Sequence, residues 1–216
     1  MLLPGIPCNH AFSEARGIDR TARHVSELID QASRHGFDME RLIGICAKGC
    51  LAARFGNSTS AIESLRYGLS EMREKGYMVF VPFFQAELAE ILRLAGRIED
   101  GLVEIEAALH APVDTSYQWL ETEATRVKAQ LLSRRSVTDH AAAEHLFLQS
   151  IERARNRQTL YWELRSATSL AEFWMARGRP FEVSELLAPI YSRFTEGFTT
   201  PDLRRAKHLL GLSGVS

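Results

Sequence analysis

Residues 82–110 read PFFQAELAEILRLAGRIEDGLVEIEAALH, and this one stretch encodes a complete helical hairpin. Pro82 suits the first position of a helix, where a missing amide hydrogen costs nothing and the preset φ is helical. Gly96 interrupts the apolar pattern, and a second helix is predicted from residue 98 to residue 110. The stretch therefore predicts two helices joined by a short turn.

Small side chains mark both helices of this hairpin, and their positions recur through the chain. In the first helices the intervals are 40, 40 and 42 residues, at Gly49, Ala89, Ala129 and Ala171. In the second helices the corresponding positions are Ala61, Gly101, Ala143 and Val183. Each of these is followed four residues later by a large apolar residue, at Leu65, Ile105, Phe147 and Leu187, and three residues after that by Gly68, Ala108, Ser150 and Ile190. Because packed helices approach to about 8–10 Å, compact residues at fixed intervals predict stacked helical hairpins.

Start and stop signals along the rest of the chain predict roughly ten helices and almost no strands. Ser60 and Glu63 have the spacing of a capping box, so Ser60 is the predicted cap of its helix. The predicted helices span residues 19–35, 38–54, 60–75, 82–95, 98–110, 116–133, 139–157, 160–177, 181–195 and 200 onward.

These small residues occupy the eighth, twentieth and twenty-seventh positions of the tetratricopeptide pattern, whose usual period is about 34 residues. We therefore predict an all-α, right-handed solenoid of about four tetratricopeptide-like helix pairs. Val183 and Ile190 depart from the small-residue rule. An unpaired helix precedes the pairs and a capping helix follows them. The repeat domain is placed at residues 19–211, between an irregular segment 1–18 and a tail 212–216.

The first predicted helix, 19–35, matches a second helix of the repeat, since Val25 and Ile29 lie one period before Leu65 and Leu69. The segment before it contains Pro and Gly residues that disfavour a partner helix. An unmatched helix leaves apolar surface exposed. We therefore predict that this end docks on an upstream domain or on another subunit.

Composition excludes several classes of function. The chain has 216 residues, 26 basic against 27 acidic side chains and a net charge of −1, which favours neither nucleic acid nor membrane partners. Three cysteines form no disulfide framework, and we expect a cytoplasmic protein without a signal peptide or a membrane-spanning segment. Cys46 and Cys50 could offer two thiolates, but a structural zinc site needs four ligands. We predict no metal, cofactor or catalytic site, because no catalytic motif is present.

The C-terminal third carries a resemblance to a known family. It includes AEHLF (143–147), ELRSATSLA (163–171), ELLAPIY (185–191) and FTEGF (194–198). These runs resemble the C-terminal repeats of a bacterial multidomain family, over about residues 20–210. Its members join a class III adenylate or guanylate cyclase domain, or a DNA-binding domain, to a large ATPase module and tetratricopeptide-like repeats. The resemblance implies a regulatory or scaffolding role without catalysis, in a fragment or a stand-alone relative.

The groove positions of tetratricopeptide repeats, transferred to this register, give a candidate peptide-binding surface. They are Arg54, Phe83, Glu90, Arg93, Glu123, Arg126, Gln130, Arg134, Arg165, Glu172 and Met175. Five of them are arginines, which favour bidentate recognition of carboxylate or phosphate, so an acidic or C-terminal peptide is the predicted ligand. The alternative is a solvated face on which the arginines pair with the three glutamates.

The sequence thus predicts a non-enzymatic module for protein–protein association, regulatory or scaffolding in signalling. Two alternatives stay open. The chain could be the C-terminal fragment of a cyclase–ATPase whose catalytic domains lie elsewhere, or a sensor that uses the groove for a peptide or small ligand.

Overall fold

The structure, a computed structural model, describes residues 15–111 and 118–212, with side chains at 20–111 and 119–211. All regular structure in these ranges is helical. Two short 3₁₀ turns, Met78–Phe80 and Val137–Asp139, precede the fourth and seventh α-helices. The α-helices are α1 (Ala15–His35), α2 (Asp38–Arg54), α3 (Ser58–Glu74), α4 (Val81–Leu94), α5 (Ile98–His110), α6 (Gln118–Arg135), α7 (His140–Asn156), α8 (Leu160–Met175), α9 (Pro180–Tyr191) and α10 (Pro201–Leu212).

The chain forms two compact units, Met1–Ala111 and Pro112–Ser216. In the first unit, α2 packs on α3 and α4 packs on α5 as hairpins, while α1 lies on α2 and α3 lies on α4. The core of this unit is built from side chains that are almost wholly buried, including Leu42, Leu65, Leu69, Met72, Leu88 and Leu92.

The second unit repeats this arrangement. Helices α6 and α7 form one hairpin, α8 and α9 form the next, α7 packs on α8, and α10 packs on both α8 and α9. The two first helices, α6 and α8, also touch each other. Its core includes Leu131, Phe147, Leu164, Leu170 and Leu187.

The residues chosen as the repeat signature lie at the helix contacts, which confirms the tetratricopeptide-like repeat as the fold. All seven small packing residues are buried, namely Gly49, Ala61, Ala89, Gly101, Ala129, Ala143 and Ala171. Val183 and Ile190, which depart from the small-residue rule, are buried as well.

Some predicted boundaries were wrong. The cap of α3 is Asn57, whose side-chain Oδ1 accepts a hydrogen bond from the Ser60 amide at 3.1 Å, so the helix begins at Ser58. Helix α1 begins at Ala15, which makes residues 15–18 helical, and α9 ends at Tyr191. The predicted start of the sixth helix at residue 116 lies outside the described residues, as do residues 1–14 of the segment predicted to be irregular.

The apolar stripe of α1 is covered by α2. Val25 and Ala32 are buried, and Gly44 of α2 leaves room for Ile29, since a Cβ there would lie 2.6 Å from Ile29 Cγ1. Among residues 20–35, no large hydrophobic side chain is strongly exposed. The exposed apolar surface predicted for this helix is therefore not found among residues 20–35.

Candidate functional site

One of the two groove arginines of the first unit, Arg93, is engaged within its own helix. Arg93 is only 6% exposed, and its Nε and Nη2 donate to Glu90 Oε2 and Oε1, each at 2.8 Å. The two residues lie three apart on α4, one turn of helix, which brings the guanidinium onto the carboxylate. Arg54, at the end of α2, has a buried Nη2 with no hydrogen-bond partner among the described residues.

The second unit brings more of the predicted residues together. Arg126 on α6 is 3% exposed and forms a bidentate pair with Glu123, at 2.9 and 2.7 Å. Arg165 on α8 is 8% exposed and also reaches Glu123 Oε1, at 3.1 Å. One buried carboxylate is therefore shared by guanidiniums from two first helices.

A hydroxyl continues this network. Ser169 Oγ accepts hydrogen bonds from Arg126 Nη1 at 3.1 Å and from Gln130 Nε2 at 3.2 Å. Gln130 is 9% exposed, yet its Oε1 is buried with no hydrogen-bond partner among the described residues. Leaving a buried acceptor unpaired typically costs about 1–3 kcal/mol, so such atoms are uncommon in native proteins.

Two tryptophans lie on the same faces of the same helices. The rings of Trp119 on α6 and Trp162 on α8 stack, with centroids 5.1 Å apart and an interplanar angle of 17°. The Arg165 guanidinium lies 5.6 Å from the Trp162 ring centroid, and Tyr161 meets that ring edge-on. Both tryptophans are half-buried.

These contacts define one surface, here called the α6–α8 surface. It consists of Trp119, Glu123, Arg126 and Gln130 on α6, and Trp162, Arg165 and Ser169 on α8. The pairs Trp119–Trp162, Glu123–Arg165 and Arg126–Ser169 follow one another in the same order along both helices. The two helices therefore run side by side in the same direction.

The remaining predicted groove residues of this unit are less buried. Arg134 is exposed. Glu172 is paired with Arg205 of α10, whose Nη2 lies 2.6 Å from Glu172 Oε2. The alternative interpretation paired the groove arginines with Glu90, Glu123 and Glu172. Glu90 and Glu123 do pair with groove arginines, whereas Glu172 pairs with Arg205. Arg93, Arg126 and Arg165 are buried and do not form a solvated face.

Sequence reasoning did not select Trp119, Trp162 or Ser169. A signal was present, because the two tryptophans are 43 residues apart, close to one repeat period. The side-chain direction that brings them together depends on the three-dimensional packing of α6 on α8.

Two of the three cysteines, Cys46 and Cys50, lie four residues apart on α2. Cys46 and Cys50 are both buried, and neither forms a disulfide. Burial raises the pKa of the Cys46 thiol far above its usual range, and the neighbouring Cys50 adds to the effect. The described residues contain no group of three or more His, Cys, Asp or Glu side chains arranged to hold a metal ion. Within the same ranges, every helix is too short or too polar to cross a bilayer.

Comparison with known proteins identifies the fold. No family model matches the sequence, and no curated protein matches it either. Two solved structures of a Podosopora anserina putative kinesin light chain with nearly identical TPR-like repeats, one of them a point variant, are similar to this chain. They superpose with TM-scores of 0.58 and 0.56, each at 16% identity and covering 83% of this chain and 88% of the other. The chain therefore has a tetratricopeptide-like repeat fold.

Proposed function

We propose that this chain is a non-enzymatic helical-repeat module that binds a segment of another protein on its α6–α8 surface. The observation that carries the proposal is the stacked pair Trp119 and Trp162, whose half-buried rings lie beside the Arg165 guanidinium. A bound segment would cover the indole rings. Tryptophan and arginine are also the residues that most often dominate binding energy at interfaces.

The physiological role extends this proposal. The resemblance of the C-terminal third to repeats attached to cyclase and ATPase modules supports a regulatory or scaffolding role in bacterial signalling, in the cytoplasm. An upstream ATPase or cyclase domain is the partner that this resemblance favours. The fold alone does not specify the partner, because one fold supports many functions.

The test is a selection of binding peptides. A random peptide library displayed on phage is selected against the full chain, and the enriched peptides are measured as synthetic ligands by isothermal titration. We expect binders whose affinity falls at least about tenfold with Trp162→Ala, a typical loss for an aromatic anchor. Leu148→Ala is the matched control, because Leu148 is exposed on α7.

Thermal unfolding and circular dichroism of Trp162→Ala establish that the variant is folded, and Gln130→Ala provides a second, smaller change on the same surface. Failure to enrich any peptide, or binders indifferent to both α6–α8 substitutions, would overturn the proposal.

A further inference from the structure

We propose that His140 and Arg177 form a proton-sensitive latch between the first turn of α7 and the end of α8. The latch is closed while the His140 imidazole is neutral and opens when the ring takes up a second proton. Neither residue belongs to the α6–α8 surface, so the inference does not depend on the proposed function.

The contact that defines the latch is one hydrogen bond between two side chains. Arg177 Nη2 lies 2.6 Å from His140 Nε2. A guanidinium has only donors and stays charged at every pH at which proteins fold, so the imidazole nitrogen is the acceptor. The proton of the neutral ring is therefore assigned to Nδ1. A second proton, on Nε2, removes the acceptor and sets two N–H donors against each other.

The ring of Phe173 holds both partners of the latch in place. The Arg177 guanidinium lies over this ring, with Cζ 3.5 Å from the centroid, and its Nη1 donates to the Phe173 carbonyl oxygen at 2.8 Å. The His140 ring meets the same ring edge-on, with centroids 5.6 Å apart and an interplanar angle of 88°. Phe173 is only 6% exposed. Arg177 cannot move away from a protonated His140 without losing its contacts with Phe173, so protonation weakens the packing of α8 on α7.

The carboxylate next to the imidazole is already paired. Asp139 precedes His140 in the chain and attracts a protonated ring. It accepts two hydrogen bonds from Arg135, at the end of α6, at 2.7 and 2.8 Å. Its negative charge is therefore balanced by Arg135 while His140 is neutral.

The second carboxylate on α7, Glu144, is engaged as well. It accepts hydrogen bonds from Arg179 Nη1, at 2.9 and 3.1 Å, and from Trp174 Nε1 at 2.7 Å. Arg179 also pairs with Glu182 at the start of α9, at 2.8 Å. Burial lowers the pKa of the Arg177 guanidinium, although the charge of Glu144 opposes the shift.

The charges around the latch balance only while the imidazole is neutral. They comprise three guanidiniums and three carboxylates, namely Arg135, Arg177 and Arg179 with Asp139, Glu144 and Glu182. A proton on His140 adds a positive charge to this set. His140 is also the first residue of α7, where the helix dipole is positive. Both effects disfavour a charged ring in the folded protein.

Protonation of His140 couples opening of the latch to pH. In the unfolded chain the imidazole is solvated and gains its proton near pH ~6.5. The folded protein takes up this proton less readily, so protonation favours the open state. The stability that the latch contributes is complete above about pH 6.5 and is lost progressively below it.

Hydrogen exchange of the full chain, followed by NMR, measures opening at the end of α8. There the amides of Arg177 and Gly178 donate to the carbonyls of Trp174 and Met175, at 2.9 and 3.1 Å. Their protection factors, which correct for the intrinsic effect of pH on exchange, are compared one unit above and one unit below pH ~6.5. We expect about a tenfold loss of protection at the lower pH, the effect of losing one hydrogen bond to a charged group.

Two latch variants and one control make the assignment specific. His140→Gln keeps an oxygen acceptor for Arg177 but does not titrate, so its protection should be the same at both pH values. Arg177→Met keeps a side chain over Phe173 without the guanidinium, and it should also abolish the pH response. His145→Gln is the matched control, because His145 is an exposed histidine on the same helix, and this variant should respond as the parent does.

Circular dichroism checks that each variant is folded, and the two latch variants test the proposal independently. A parent whose protection is the same at both pH values, or a latch variant that loses protection as the parent does, would overturn the latch.

Discussion

Cys46 on α2 occupies the space that a side chain on Gly68 of α3 would need. A Cβ built on Gly68 would lie 2.3 Å from the Cys46 Sγ, well inside the contact distance of the two atoms. Both residues are buried at the crossing of α2 and α3. The small residue at this repeat position is therefore required by the sulfur of the facing helix.

Gly68→Ala should destabilise the first unit by about 1–3 kcal/mol, the usual cost of overpacking a tight core. The sign of the change in unfolding free energy is informative, because a glycine-to-alanine substitution in an unobstructed helix interior stabilises the protein by about 1 kcal/mol. Urea denaturation followed by circular dichroism measures the change. Gly211→Ala near the end of α10 is the control, since beyond its chain neighbours and its own helix backbone no described atom lies within 4 Å of the position that its methyl group would take.

The double variant Cys46→Ala with Gly68→Ala separates the clash from other effects. Removing the sulfur should recover most of the loss, giving a coupling energy of about 1 kcal/mol or more. Additive effects of the two substitutions would show that the close approach of the Cys46 sulfur is not the reason why position 68 requires glycine.

The fold was predictable because helix packing places its strongest demands at a few repeated positions. Ala89, Ala129 and Ala171 are spaced by the repeat, and each is buried where the sequence predicts. Helix ends were less predictable, since several residues compete to cap. Asn57 lies before Ser60 in the chain and caps α3, although Ser60 and Glu63 have the spacing of a capping box.

The candidate site was predictable only in outline. The groove positions of the repeat selected Arg126, Gln130 and Arg165, which the structure brings together around Ser169 and Glu123, because these positions depend on the backbone alone. They did not show that Arg126 and Arg165 share Glu123, because that depends on side-chain reach between helices about one repeat apart in sequence. The burial of these ion pairs was not predicted either. An ion pair on the surface of one helix becomes buried when a neighbouring helix covers it.

Cys46 and Cys50 should resist thiol reagents in the native protein. Burial raises the pKa of Cys46, so the thiol stays protonated at neutral pH and lacks the reactive thiolate form. In a Cys8→Ser background, labelling with Ellman's reagent should be at least about 100-fold slower in buffer than in denaturant, because reaction requires local opening. Equal rates in the two conditions would contradict the buried placement of both thiols.

The stability that the Asp139–Arg135 pair contributes to the second unit should be lost in acid. The hydrogen bond from Arg135, at 2.7 Å, lowers the pKa of the Asp139 carboxyl below its ordinary value. Stability from this pair is therefore present above the ordinary pKa and is lost as pH falls through the lowered one. Asp139→Asn should be less stable than the parent near pH ~7, and the difference should vanish towards pH ~2. Urea midpoints of both proteins across this range test the prediction, and a difference independent of pH would contradict it.

Removing the two arginines that pair with Glu163 should destabilise the protein more than neutralising Glu163 itself. The carboxylate is 1% exposed and lies 3.0 Å from Arg155 Nε and 2.6 Å from Arg193 Nη1, whereas both arginines are largely exposed. Glu163→Gln leaves two cations that water can solvate. Replacing both arginines by alanine leaves a buried carboxylate unpaired, which costs about 3–5 kcal/mol when no partner remains. The double arginine variant should therefore have the lower urea midpoint, and Arg204→Ala on the exposed side of α10 should change little. A Glu163→Gln variant less stable than the double arginine variant would show that packing of the carboxylate, and not its charge, governs stability at this position.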